Sequence, residues 1–309
     1  MCEESLNDEA IQYHLHCLIE LFTICGKNQA CQAAQTETAK LRICVLTDIS
    51  GDPDDKQSLV RFLTYANEFD VEGLIATTSC WKQNNPDTPA IVQVLEAYAK
   101  IQPNLLKHAS GYPTVDSLKN VTKTGVNGYG MSVAAEQLDN EGIGHIISIV
   151  DRDDHRPIWF LSWGGSNTLG GAVMKVKDTR RDAQARAFVA KIRGYEIAIQ
   201  DDGHAYIAHH FPQAKLISFS LQWKGMSKTT PTFNRWPESW GGNNDIFTHD
   251  WIRNNIQENL GPLGMQYPKA VYLWEGDTPS FLYLIPNGLG SPEHPSYGSW
   301  GGASNQRNN

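Results

Sequence analysis

Cysteine is missing from all of the chain beyond residue 80. The six cysteines, Cys2, Cys17, Cys25, Cys31, Cys44 and Cys80, crowd toward one end of 309 residues. A disulfide scaffold would spread its cysteines through the fold, so that architecture is excluded. No Cys-x-x-Cys pair occurs, which argues against a zinc knuckle. There is no run of lysine and arginine, and 26 basic residues face 34 acidic ones, for a net charge of −8. Such a chain is a poor ligand for phosphate backbones, so nucleic acid is not an expected partner. No apolar run reaches the roughly 20 residues that span a bilayer, and a membrane is not an expected partner either. The G-x-S-x-G elbow, the H-E-x-x-H helix and the P-loop are all absent, which sets aside serine hydrolases, zincins and P-loop NTPases. Internal repeats are also lacking.

What is present is 40% hydrophobic and 10% aromatic residues, enough for a sizeable core in one large domain or two modest ones. The run LHCLIELFTIC over residues 15–25, followed by Ala30, Ala33 and Ala34, has the length and small-residue sequel of a signal peptide. On that reading residues 1–40 are a leader and the protein is secreted or periplasmic. The acidic residues Glu3, Glu4, Asp8, Glu9 and Glu20 favour the alternative, an ordinary amphipathic helix in a cytoplasmic protein. Asn120-Val121-Thr122 forms a glycosylation sequon, which has meaning only in a eukaryotic secretory protein.

From residue 43 the chain alternates strand and helix. Ile43-Cys44-Val45-Leu46 reads as a buried strand running into a Gly/Pro/Asp loop, and residues 58–69 carry helical spacing. Further strands are expected at 71–78, 158–165, 195–200, 214–220 and 270–276. Helices are expected at 89–101, which opens on a proline, and after Gly165. Strand, loop and helix in repetition imply an α/β fold, a mostly parallel sheet flanked by helices, with ligands beyond the carboxyl ends of the strands. Residues 223–269 break the rhythm and read as an insertion, partly helical near THDWIRNNIQ. The Gly/Pro/Asn-rich tail from Pro286 reads as extended, with disorder expected over residues 303–309.

The chemistry concentrates in Thr47-Asp48-Ile49-Ser50-Gly51-Asp52-Pro53-Asp54-Asp55. Four carboxylates at the end of a buried strand raise one another's pKa values unless positive charge sits among them. A hard divalent cation meets that need, with Ca²⁺ expected and Mg²⁺ second. Helix capping alone would need one aspartate, not four.

A strand followed by an aspartate-rich loop that closes on Asp54-Asp55 is similar to the nucleoside hydrolase signature. More closely, TDISGDPDDKQSLVRFLTYANEFDVEGLIATTSCWKQN resembles the nucleoside hydrolase-like domain of bacterial proteins labelled cellulose-binding, related to inosine-uridine-preferring nucleoside hydrolases. The resemblance runs on through VDRDDHRPIWFLSWGGSNTL, QDDG and WEGDTPSFLYLIPNGLGSPEHPSYGSWGG, and places a nucleoside hydrolase-like α/β domain over residues 41–302.

That resemblance implies a Ca²⁺ at the bottom of a pocket, binding the sugar hydroxyls and a water that attacks the anomeric carbon of an N-ribosyl bond. It implies Asp48 as base and metal ligand, Asp55 and Asp277 as metal ligands, and Asn167 as donor of a backbone carbonyl to the metal. Asp54 would face the ribose. The chain departs from the hydrolase pattern in four places, the first being a loop about two residues longer, with Ser50-Gly51-Asp52-Pro53 in place of a shorter proline-glycine turn. Leu46 replaces an aspartate, and Ser79-Cys80-Trp81 replaces a glycine-asparagine pair, with Asn84 and Asn85 as substitutes. Gln200, Asp201 and Asp202 stand at the strand end where hydrolases grip the ribose.

His204 is a candidate for protonating or binding the leaving group, since histidine titrates near neutrality. His209 and His210 share that candidacy, with at least one of them reading as a surface residue, and His294 is a further candidate. Trp81, Trp223, Trp240, Trp274 and Trp300 are candidates for a sugar or base platform. The expected function is metal-dependent glycosidic hydrolysis of a small nucleoside or sugar substrate. The rival is a non-catalytic or O-glycoside-directed protein binding a polysaccharide such as cellulose; a Mg²⁺-dependent phosphohydrolase using Asp48 is a third reading. An oligomer is compatible with the sequence.

Overall fold

The structure is a computed structural model that describes residues 39–218, 249–269, 275–286, 288, 290–297 and 299. The expected leader, the 303–309 tail, most of the 223–269 insertion and the strand expected at 270–276, apart from its last two residues, lie outside these. Trp223, Trp240, Trp274 and Trp300 lie outside them as well.

Six strands are described: β1 (Leu41–Thr47), β2 (Phe69–Ala76), β3 (Thr122–Thr124), β4 (Ile158–Ser162), β5 (Ile192–Glu196) and β6 (Lys215–Ser218). They form one sheet in the order β3-β2-β1-β4-β5-β6, parallel throughout. That is the order of a doubly wound sheet, in which the chain starts at the centre, winds out to one edge, and returns to wind out to the other. The expected α/β class therefore holds, and β1 and β4 flank the point where winding reverses.

Helices cover both faces, which is why β1 and β4 are apolar without polar alternation. Along β1, Ile43 and Val45 enter one core, while Cys44 and Leu46 enter the other. The first core packs under α1 (Asp54–Leu63), α2 (Thr88–Leu105) and α3 (Val115–Asn120). The second packs under α4 (Gly130–Glu136), α5 (Glu141–Asp151), α6 (Asn167–Thr179), α7 (Asp182–Ala190) and α8 (Gly203–His210). Two further short helices follow, α9 (His249–Ile252), which continues into a wider turn over Arg253–Gln257, and α10 (Thr278–Leu282). Among the described residues no helix is long and apolar enough to cross a membrane.

β1 and β2 slip register between Ile43 and Cys44, and Gly73 is the device that permits it. A Cβ at Gly73 would lie 2.4 Å from the Cys44 sulfur. Burial pushes the Cys44 thiol far above its usual range, so this cysteine packs as a small apolar group.

Several boundaries differ from the sequence reading. The strand expected at 195–200 lies earlier, at Ile192–Glu196, so Gln200, Asp201 and Asp202 belong to a loop. β4 ends at Ser162, and Trp163-Gly164-Gly165 form the turn into α6. β3 is three residues long, below what periodicity can register, and α3, α4, α5 and α7 fill stretches left unassigned. The tail expected to be extended makes a Ser291–His294 bridge and a tight turn at Pro295–Tyr297. Asn120, of the sequon, ends α3 and is exposed.

Candidate functional site

The site lies at the carboxyl ends of β1, β2 and β4. Asp48 follows β1 directly and is buried. The chain then turns tightly: Ile49 N–H donates to Thr47 Oγ1 (3.1 Å) and Gly51 N–H to the Asp48 carbonyl (2.8 Å). Ser50 takes the left-handed backbone conformation, φ 74°, a strained choice for serine. Its hydroxyl donates to Asp87 Oδ2 (2.8 Å), and Asp87 also caps α2 through Ala90 N–H (3.1 Å), so the loop is pinned to a helix start. At Gly51 a Cβ would lie 2.9 Å from both the Asp48 carbonyl and Oδ2, and at Gly164 one would lie 2.8 Å from Asp48 itself. Glycine lets both loops close over this aspartate.

Asp54 and Asp55 open α1, where the helix dipole favours negative charge. Thr47 donates its hydroxyl to Asp55 Oδ1, and Ser79, at the end of β2, donates to Asp48 Oδ2. Asp277 arrives from the far end of the chain, at the start of α10, and is buried. The carboxylates of Asp52, Asp54 and Asp55 approach within 4.8 Å of one another.

Asp48, Asp54, Asp55 and Asp277 are shifted toward the neutral acid. Asp48 is pushed up to about 6, chiefly by burial and then by the charge of Asp52, against the bonds from Ser79 and Asp55. Asp55 is raised well above the carboxylate range by burial and by Asp48, Asp277, Asp54 and Asp52. Asp54 is raised by burial, Asp277 and Asp52; Asp277 is raised by burial, Asp52 and Asp48. Asp52 Oδ1, Asp54 Oδ1 and Asp277 Oδ2 are buried with no hydrogen-bond partner. Buried acceptors of one charge, without donors, fit a hard cation with oxygen ligands.

The remaining sequence candidates separate into two groups. Asp201 is buried and fully engaged: Ser166 Oγ (3.2 Å) and Gly203 N–H (2.9 Å) donate to Oδ1, and Asn167 N–H (2.9 Å) donates to Oδ2. It thereby ties the starts of α6 and α8 together. Asp202 is exposed and accepts from Met131 N–H (2.7 Å), bracing α4. Asn167 is the first residue of α6, so its carbonyl is directed down the helix axis, away from the strand ends. Its amide donates to the Gly128 carbonyl (2.8 Å), and it acts as a brace between loops. Asn84 and Asn85 are exposed. Asn85 sits at φ 55°, a conformation asparagine tolerates, and its N–H donates to Asn127 Oδ1 (2.8 Å), which makes it a turn residue.

Gln200 lies in the loop after β5. Its Nε2 donates to the Trp163 carbonyl (2.5 Å), while its buried Oε1 has no partner. His204 Nδ1 is 3.3 Å from Glu196 Oε2; burial works to lower the imidazole's pKa, but the contact with Glu196 and the charges of Glu196 and Asp201 raise it above its usual value. His209 and His210 are exposed on α8, and His294 stacks on Tyr297 away from the aspartates. Trp81 is exposed on the loop after β2.

Ser79, Thr47 and Glu196 escaped the sequence reading. Each is a residue type whose position beside a carboxylate depends on strand pairing, and only the run of polar residues after each strand hinted at them.

Comparison with known proteins settles the family. Residues 42–303 match the family described as cellulose-binding Sde182, nucleoside hydrolase-like domain. The chain belongs to this family. Among solved structures, a nucleoside hydrolase-related hypothetical protein from Saccharophagus degradans, associated with carbohydrate metabolism, is 40% identical and superposes with a TM-score of 0.74. The match covers 85% of this chain and 59% of that protein, so the chain spans less than two thirds of its relative's length. Among curated proteins, none matches. The sequence resemblance and the parallel α/β architecture thus agree with a nucleoside hydrolase-like member of a cellulose-binding family.

Proposed function

We propose that the chain is a cation-dependent glycosidic hydrolase, in which water attacks an anomeric carbon, with N-ribosyl bonds as the first class to test. The observation that carries this reading is the convergence of buried Asp48, Asp55 and Asp277 with half-buried Asp54, mutually repelling and partly unpartnered, at the switch point of the sheet. Asp48, Asp55 and Asp277 would hold Ca²⁺, with Asp54 on the sugar side. When bound, such an ion would offset part of the carboxylates' charge and acidify a water.

The protein's own groups then have distinct tasks. Asp48, buried at the end of β1 with its Oδ2 held by Ser79, is placed to accept the proton of the attacking water. Ser79, through its bond to Oδ2, stabilises the ionised form and fixes the carboxylate plane. Thr47 does the same for Asp55. The surrounding aspartates supply the negative potential that favours an oxocarbenium-like transition state. Gln200 Oε1, a buried acceptor with no protein partner, is suited to a sugar hydroxyl.

A second reading, non-catalytic carbohydrate binding, draws support from the family's cellulose-binding description and from the engagement of Asp201, Asp202 and Asn85 in braces, away from a ribose grip. One experiment separates the two. Purified protein and its Asp48→Asn variant are incubated with inosine, uridine and p-nitrophenyl riboside, with Ca²⁺ or with EDTA. Sugar release by the unaltered protein with Ca²⁺, lost with EDTA and with Asp48→Asn, is the expected result. No release from any substrate, together with retention on cellulose, overturns the hydrolase reading in favour of binding.

A further inference from the structure

Asp277 stands in Glu275-Gly276-Asp277-Thr278-Pro279-Ser280, where the proline opens α10, and all six residues are buried. Its neighbours two and three positions away are held more tightly than it is. Glu275 is fully buried, and its carboxylate is saturated. Arg61 on α1 donates its Nε–H to Oε2 and its Nη2–H to Oε1 (2.9 Å). Tyr267 donates its hydroxyl to Oε1 (2.9 Å), and Thr278 donates its hydroxyl to Oε2 (2.8 Å). A carboxylate offers about four lone-pair positions, and these donors fill them. On the other side, Ser280 Oγ donates to the Asp277 carbonyl (2.6 Å) and accepts the indole N–H of Trp163 (2.8 Å). The backbone N–H of Trp163 donates in turn to the Leu46 carbonyl on β1 (2.8 Å).

Asp277 itself differs. Ser58 on α1 bonds its carboxyl, but Oδ2 is buried and has no partner among the described residues. The two carboxylates therefore have different tasks: Glu275 has no acceptor capacity left for a cation, whereas Asp277 has. A buried arginine–glutamate pair adds little net stability, since desolvation offsets the attraction, but it fixes geometry. Arg61 lies about two turns along the helix that opens with Asp54 and Asp55. One helix thus presents two aspartates and grips the segment that presents a third, whose charge reaches both of them.

We infer that Arg61 and Glu275 are positioning residues, whose ion pair locks Asp277 against α1 so that its free oxygen meets the same divalent cation as Asp55. This rests on the cation reading of the site given above. Bonds behind a metal ligand set its orientation, and losing one costs about 10–100-fold in metal affinity.

The test uses the full chain freed of metal with EDTA. Ca²⁺ affinity is read by calorimetric titration, and the waters on bound Tb³⁺ are counted from its luminescence decay in light and heavy water. Glu275→Gln keeps the shape of the side chain and loses the ion pair. It is expected to bind Ca²⁺ about tenfold more weakly and to add a water to Tb³⁺, the signature also expected of Asp277→Asn. The double variant should bind no more weakly than Asp277→Asn alone, because Glu275 acts through that aspartate. Tyr267→Phe removes one bond to Glu275 and should shift both readouts the same way by less, which keeps the test open if Glu275→Gln does not fold. Glu72→Gln breaks the buried Arg42–Glu72 pair at the opposite end of β1 and β2, and should change neither readout, which sets lost stability aside as the cause. Ca²⁺ binding by Glu275→Gln equal to that of the unaltered protein, with equal bound waters, overturns the inference and leaves the cation reading standing. A double variant weaker than Asp277→Asn overturns it too. No Ca²⁺ binding by the unaltered protein overturns both.

Discussion

Ser79, in the loop after β2, donates its hydroxyl to Oδ2 of Asp48 just after β1, and Ser79 Oγ in turn accepts the N–H groups of Trp81 (3.0 Å) and Lys82 (3.1 Å). Parallel pairing of β1 with β2 brings these two residues together from 31 positions apart. A loop residue is thereby made the partner of the candidate base.

Replacing Ser79 by alanine removes the bond that favours ionised Asp48. The pKa of Asp48 should then rise above its present value of about 6. The acid limb of a kcat/KM profile, or the carboxyl resonance of Asp48, is expected to move to higher pH. A limb that stays in place would show that Ser79 supports the loop alone.

The buried aspartates make a signed prediction about stability. Unfolded, Asp titrates near 3.9, whereas Asp48, Asp54, Asp55 and Asp277 titrate higher in the fold. Their contribution is least unfavourable below pH 4, and stability is lost as pH rises from there through the folded values. In EDTA at pH 7, Asp55→Asn should therefore melt above the unaltered protein. Added Ca²⁺ should reverse the order, stabilising the unaltered protein by about 2.7 kcal/mol at one hundred times its dissociation constant and leaving Asp55→Asn little changed. The increment from Ca²⁺ should shrink as pH falls below 6. Thermal melts from pH 4 to 8 check all three points, and a Ca²⁺ increment independent of pH and of Asp55 would remove the site.

Asp201 is expected to matter for the fold and little for the ligand. Its carboxylate ties the first N–H groups of α6 and α8, so Asp201→Ala should cost about 1–3 kcal/mol in urea unfolding. Ligand affinity in the variant, measured well below its melting point, should stay within about threefold of the unaltered protein. A large loss of affinity with intact stability would return Asp201 to the binding group.

At the opposite end of the sheet Arg42 is fully buried on β1 and pairs with both oxygens of Glu72 on β2 (2.8 Å each), while its Nη2 donates to the Ile149 carbonyl (2.6 Å). Removing Glu72 leaves the buried Arg42 charge with the more distant Asp154 (3.7 Å) and two carbonyl acceptors. Glu72→Ala should cost about 3–5 kcal/mol. Ca²⁺ affinity should be untouched, because the aspartates lie at the other ends of the same strands. A calorimetric titration beside a urea melt tests both parts.

The α/β class and the Asp48–Asp55 cluster were legible because each rests on local signals. A fully apolar strand announces burial on both faces, and four aspartates in eight positions announce unusual electrostatics wherever they fold. Asp277 was legible through family resemblance alone, since nothing near it in sequence repeats the pattern. The braces were not legible. Asp201 and Asp202 look like substrate ligands beside a strand end, and only the packing of α4, α6 and α8 onto their oxygens shows where those acceptors are spent. β3 is too short for a period-two pattern, and it exists because β2 offers it an edge to pair with.

The sequence by itself determined that this is a parallel α/β protein with a concentrated acidic loop after its first strand, because periodicity and charge spacing are properties of neighbouring residues. The tertiary structure alone decided which polar groups join the aspartates, which caps hold helices, and how the loops after β2, β3 and β5 are bonded to one another. Those assignments depend on strand order and loop-to-loop hydrogen bonds between residues tens to hundreds of positions apart, and no local pattern encodes such distances.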